Sequence, residues 1–350
     1  MYEKDGEKYF VVDAHIHYWN AAPDNWVPGQ EQYAKGWIEC FYAYHGLGPE
    51  HTRWTLDKYM KYSEQDTMHD LFEVGHVDVA IMQPTYLKEW YKEGFNTTER
   101  NAGLAEKYPG KFVLNTRFDP RDGDAGLKEL ADNVARYGCK GVKLYTAEWK
   151  DGSRGWKVSD PEAYRYLERC QELGIKNVHL HKGPTIWPLD KDAFDVADVD
   201  HAATDFPALN FIVEHVGLPR IEDFCFMATQ EPNVYAGLAV VLGGLMHARP
   251  RFFAKVMGEL LFWVGEDKMT FGSDYGIWEP QWQVEGLVDW DYPPGEEYDD
   301  YPRLGTAGKK KILGLNAAKL YDIPVPAEYQ LPADAGTPAA RDDAQLVEST

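Results

Sequence analysis

Eight short runs rich in Val, Ile, Leu and Phe recur along the chain, separated by longer segments with helical spacing. Such alternation is the sequence pattern of βαβ units around a parallel sheet, because parallel neighbours need a crossover long enough to return over the sheet. The runs are Phe10 to His17, Val77 to Gln83, Phe112 to Arg117, Gly141 to Leu144, Asn177 to His181, Leu209 to His215, Val234 to Leu242 and Met269 to Asp274. Between them, Asp124 to Tyr137 sets Leu127, Leu130, Ala131 and Val134 at helical spacing. Asp160 to Leu173 opens on Asp then Pro, residues favoured at the N-cap and the first helical position. Eight such units predict an α/β fold of the (β/α)8 TIM-barrel type. A doubly wound open sheet accommodates the alternation but gives no reason for what the strand ends carry.

Two segments break the rhythm. Residues from about 18 to 62 form a long insertion after the first strand, with Trp19, Trp26, Trp37, Tyr42, Tyr44 and Trp54, and loops of that length usually serve function. It is expected to wall an active site or cover a partner subunit. From Pro324 onward Pro, Ala, Asp and Gly dominate. The expected division is one barrel domain over residues 1–325 and an extended or disordered tail over 326–350.

The 350 residues, 44% of them hydrophobic, supply a core for one large domain. A net charge of −21 repels phosphate backbones and anionic lipid, which argues against nucleic-acid and membrane-surface partners. Apolar runs fall short of the roughly 20 residues a span needs, and the charged N-terminus lacks a signal core. The expected location is cytoplasmic. The four cysteines, Cys40, Cys139, Cys170 and Cys225, show no CxxC spacing and read as reduced, mostly buried thiols.

Polar residues gather where the strands end. Residues two apart share a face of a strand, so His15 and His17 point together into the barrel with Asp13 below them. His179 and His181 repeat that spacing on the fifth strand, the sixth ends in His215 and the eighth in Asp274. All of these ends lie on the C-terminal face, where barrel enzymes place their sites. Several imidazoles, one carboxylate and an open position suit a catalytic Zn, Mn or Fe ion.

The motifs VDAHIH, GVKL, HLHKG, FIVEHVG, FGSDYG and the closing KKKILGLNAAKLYDI together resemble the amidohydrolase superfamily, in its amidohydrolase-related branch that also holds non-oxidative decarboxylases. The resemblance covers about Phe10 to Tyr321. It implies metal ligation by His15, His17 and His181, with His179 one pleat deeper, behind the ligands or in the core, or alternatively a ligand itself. It gives His215 the place of a ligand in two-metal members and of a catalytic group in one-metal members, and makes Asp274 both ligand and proton shuttle. It also makes Lys143 decisive for the metal count. Carboxylated by CO2, it would bridge two ions; as a plain amine it would pair with a substrate anion or a carboxylate. Tyr145, Glu148 and Trp149, in the loop that follows, are candidates for the pocket wall.

The default activity is metal-assisted hydrolysis of a small carbonyl substrate, with one or two Zn, Mn or Fe ions and with Asp274 and His215 as catalytic groups. GFNTTERNA, KGVKLYTAEW and NFIVEHVGLPR are also similar to barrel subunits of 2-aminoisobutyrate hydroxylase type. That likeness implies an alternative, a dinuclear non-heme Mn/Fe monooxygenase with a paralogous barrel subunit and redox partners. Non-oxidative decarboxylation is the second alternative. A homo-oligomer is expected otherwise. Trp19, Trp149, Trp187 and Trp278 suggest aromatic walls around a small substrate, although such residues serve equally well as packing.

Overall fold

The computed structural model describes residues 1–152 and 154–332. Of the tail expected from residue 326, residues 333–350 lie outside this description.

Eight parallel strands form the barrel in sequence order: β1 (Val12–Ile16), β2 (Val79–Met82), β3 (Phe112–Thr116), β4 (Gly141–Leu144), β5 (Asn177–His181), β6 (Asn210–Glu214), β7 (Val234–Gly237) and β8 (Met269–Thr270). Each coincides with one of the eight runs read from the sequence, β7 and β8 being shorter than expected at their C-terminal ends. Parallel ladders join β1 through β8, with a register shift between Asp13 and Ile16 where β1 meets β2. Between β8 and β1 closure depends on isolated bonds, from the amides of Ala14, His17 and Asp274 to the carbonyls of Phe271, Tyr275 and His15 (2.9, 2.8 and 3.0 Å). An antiparallel pair, Tyr2–Lys4 with Glu7–Tyr9, precedes the barrel.

Strands buried on both faces explain why the runs read as continuously apolar. The amphipathic segments fold as the crossovers, among them Gly123–Tyr137 and Pro161–Glu172. The first ends on Gly138 in the left-handed conformation (φ 65°), whose amide reaches the Val134 carbonyl at 3.0 Å. The second starts after Asp160 as expected, but that carboxylate accepts from the Lys157 amide (2.8 Å) and makes no capping bond into the helix. The preceding turn has captured the acceptor.

The insertion after β1 is largely structured. Its main helix, α1 (Glu31–His45), buries Ala34, Trp37, Ile38, Phe41 and His45. That stripe lies across the C-terminal mouth of the barrel and roofs the cavity described below. Among the described residues no helix is long and apolar enough to cross a membrane.

Candidate metal centre

The pleat of β1 turns Asp13 and His15 inward, and His17 follows on the same side at the strand's end. Asp13 lies deepest, accepting from the Ser273 amide (2.9 Å) and hydroxyl (2.5 Å) and thereby tying β1 to the segment after β8. Burial pushes its carboxyl up to about 7, against the lowering effect of those bonds. Above it, Nε2 of His15 and Nε2 of His17 approach to 3.2 Å, and Oδ1 of Asp274 lies 3.7 Å from the first and 3.2 Å from the second. Among the described residues, His15, His17 and Asp274 are the group of potential metal-binding side chains whose ligand atoms all lie within 4.8 Å of one another.

The outer ring atoms show which nitrogens carry protons. Nδ1 of His17 sits 2.8 Å from the Gln83 carbonyl, an acceptor, so the proton is on Nδ1 and Nε2 keeps its lone pair. Nδ1 of His15 lies 2.8 Å from Oε2 of Glu214, an ion-pair contact outside good hydrogen-bond geometry that favours a proton on this nitrogen over one on Nε2. Burial lowers His15 to about 3, so the ring is neutral. Burial opposes the charge on Asp274, yet His15, His17 and His215 hold its carboxyl below the usual carboxylate range. In the tautomers these contacts favour, two Nε2 lone pairs and a carboxylate face one another. Three acceptors converging in a buried place are the donor set of a divalent cation, and the residues fit the ion that the sequence led us to expect.

Beside this cluster His181 and His215 form a second pair, Nδ1 to Nε2 at 3.0 Å. Nδ1 of His215 reaches the Ala239 carbonyl (2.9 Å), which places its proton there and leaves Nε2 as an acceptor. His215 thus suits ligation or proton acceptance better than polarising a carbonyl by donation. Nε2 of His181 faces the Tyr145 hydroxyl at 3.5 Å. Nζ of Lys143 is 3.5 Å from Nε2 of His15, and burial lowers its ammonium to about 8.

A cavity of about 30 Å³ opens over these groups. His17, Lys143, His181, His215 and Asp274 contribute its polar surface, while Trp37, Phe41, Phe95, Tyr145, Ile186 and Trp278 supply most of the apolar remainder. Of the four tryptophans singled out from the sequence, Trp278 lines this cavity. Trp19 packs behind His17 (6.1 Å between ring centres), and Trp149 and Trp187 flank Tyr33 farther out. The Glu148 carboxylate accepts from the Leu87 amide (2.9 Å), away from the cavity lining.

Sequence reasoning missed Glu214 and α1. Glu214 is completely enclosed, with its two oxygens turned to His15 and His179 (2.8 and 2.5 Å). Burial would raise this carboxyl, but His15, His179 and Lys143 hold it well below the ordinary range. Both Glu214 and the next residue, His215, reach the site, which strand alternation forbids. The chain achieves it because His215 adopts a left-handed φ of 69° as the strand ends. Val240 and Asp274 also have positive φ (70° and 59°) just beyond neighbouring strands, where backbone strain commonly marks function.

The amidohydrolase family model matches residues 12–323, nearly the whole described barrel. The chain belongs to the amidohydrolase family. Members are enzymes, so this amidohydrolase is read as one with a His/Asp metal site. The search of curated proteins finds no match. Among solved structures, the fold is shared with an uncharacterised TIM-barrel protein from Bordetella bronchiseptica (19% identity, 89% of this chain and 98% of that chain, TM-score 0.63). An amidohydrolase from Burkholderia multivorans with bound zinc aligns at 15% identity over 90% of this chain and 100% of that one, with a TM-score of 0.60. A 2,6-dihydroxybenzoate decarboxylase from Rhizobium aligns at 16% over 91% and 99%, with a TM-score of 0.55. At such identities the likeness is one of fold.

Proposed function

We propose that this amidohydrolase hydrolyses a small, partly apolar carbonyl compound with the help of a divalent ion held by His15, His17 and Asp274. The observation that carries the reading is the convergence of their lone pairs (3.2 to 3.7 Å) on the floor of a narrow, mostly apolar cavity. A bound ion supplies Lewis acidity, which polarises a carbonyl and acidifies water. Asp274, facing the cavity, accepts the proton from the attacking water and returns it to the leaving group. His181 and His215 offer further acceptors beside the cluster, and Lys143 donates to an oxygen of the substrate. The aromatic walls exclude bulk water and limit the substrate's size.

The Rhizobium decarboxylase shares the fold, so release of CO2 from a carboxylated aromatic is the comparison to run. Purification without added metal, metal analysis, and a panel of lactones, amides and aromatic acids form the test. One divalent ion per chain, with hydrolysis that a chelator abolishes, is the expected result. CO2 release without any hydrolysis, or iron or manganese with dioxygen consumption, would overturn it.

A further inference from the structure

We propose that Glu214 is the positioning residue that selects His15 as a metal ligand and withdraws His179 from the centre. The proposal rests on the metal site of the hydrolase reading and not on the reaction assigned to it.

β5 and β6 pair with His181 opposite Glu214, but the Glu214 side chain is not part of the cavity lining and turns down to His179, two residues before His181. There an acceptor-only carboxylate faces two Nδ1 atoms, with Oε2 2.8 Å from His15 and Oε1 2.5 Å from His179. The carboxylate favours a proton on Nδ1 of each imidazole, through a hydrogen bond to His179 and a close ion-pair contact to His15, and so leaves the Nε2 atoms as lone pairs. The Gln83 side-chain amide gives one hydrogen to the Ala14 carbonyl at 2.8 Å and lies 3.2 Å from Nδ1 of His179, but the Glu214 carboxylate, an acceptor only, is closer at 2.5 Å and decides for the proton on that nitrogen.

The two lone pairs then meet different fates. Nε2 of His179 receives the Tyr321 hydroxyl at 2.7 Å, and that hydroxyl also lies 2.8 and 3.1 Å from the side-chain atoms of Asn115. Nε2 of His15 meets His17, Asp274 and, at 3.5 Å, Lys143. One carboxylate thus orients both rings, and the Tyr321 hydroxyl caps the one it holds on the barrel floor while the other stays open at the centre. A carboxylate behind a metal-binding histidine fixes the ring and its tautomer in this way. The space for it is built in at Gly237 of β7, where a Cβ would stand 2.3 Å from Oε2 of Glu214.

Glu214→Gln keeps the shape but supplies only one acceptor, so it cannot satisfy both imidazoles. Zinc affinity of the full chain, measured by competition with a chromogenic chelator, is expected to fall about 10–100-fold. Gly237→Ala, which displaces the carboxylate without removing it, is expected to weaken zinc as well. Unfolding of each metal-free variant is followed alongside. Lower stability with wild-type zinc affinity would make Glu214 a merely structural group and overturn the proposal. Should both variants fail to fold, 15N-histidine NMR of the metal-free wild type decides. The His15 signal, identified by its loss in His15→Gln, is expected to show a proton on Nδ1, and a proton on Nε2 overturns the proposal. A wild type that binds zinc but hydrolyses nothing would remove the hydrolase reading and leave this one standing.

Discussion

The choice between one ion and two turns on Lys143. A bridging carbamate requires a free amine, and burial lowers the ammonium to about 8, so a fraction of free amine exists near neutral pH. It also requires a second set of ligands. His181 and His215 are nearby, but they are turned toward each other at 3.0 Å, whereas His15, His17 and Asp274 already form one complete group. We therefore expect a single ion, with Lys143 acting on the substrate as an amine. Lys143→Ala should keep the ion and lower kcat/KM by at least about 100-fold. Metal analysis of the variant checks this, and a wild type with two ions that drops to one on substitution would show the bridge instead. Residues of the centre that end strands, His15, His17, His181, His215 and Asp274, were legible because the two-residue period and the strand ends are written in the sequence. Glu214 was not, because adjacent residues of a strand should face opposite ways. Only the left-handed turn at His215 brings both inside.

At the scale of elements, the strands were legible because burial on both faces leaves unbroken apolar runs. The insertion was recognised by its aromatic content, yet the spacing of Ala34, Trp37, Ile38, Phe41 and His45 already carried the helical period of α1. What no local pattern conveys is that this stripe closes over the barrel mouth, since the contact joins segments far apart in sequence. The closing helical segment shows the same limit. Between Thr306–Lys310 and Asn316–Leu320 the helix widens at Lys311–Leu315, and the Ile312 carbonyl accepts from the Phe271 amide (2.9 Å). The widened turn presses Gly314 onto β1 so closely that a Cβ would sit 1.9 Å from the Phe10 carbonyl oxygen. Backbone cannot yield as a flexible side chain does. Gly314→Ala is thus expected to destabilise the fold by about 1–3 kcal/mol or more, read as a lower midpoint in urea at unchanged slope. Wild-type stability in that variant would mean that the segment can move off the strand.

For the whole molecule, the ion's place matters as much as its chemistry. Ladders run from β1 round to β8, with one irregularity between Asp13 and Ile16 where β1 meets β2, but the seam where β8 returns to β1 has only isolated bonds. The metal group lies across that seam, with His15 and His17 on the β1 side and Asp274 on the β8 side. Asp13 and Ser273 cross it one level below. An ion bound there would clip the barrel shut where the sheet holds itself least well. Binding to the folded state alone contributes about 2.7 kcal/mol when the free ion is at 100 times its Kd. Chelation should therefore lower the unfolding temperature, and His15→Ala or Asp274→Ala should abolish the gain from added metal. The seam also predicts where the effect appears. On metal removal, hydrogen exchange should quicken first at the amides of Ala14, His17 and Asp274, which close the barrel, while the β4–β5 ladder on the opposite side stays protected. Uniform quickening around the barrel would show instead that the ion stabilises the fold globally, without any special hold on its seam.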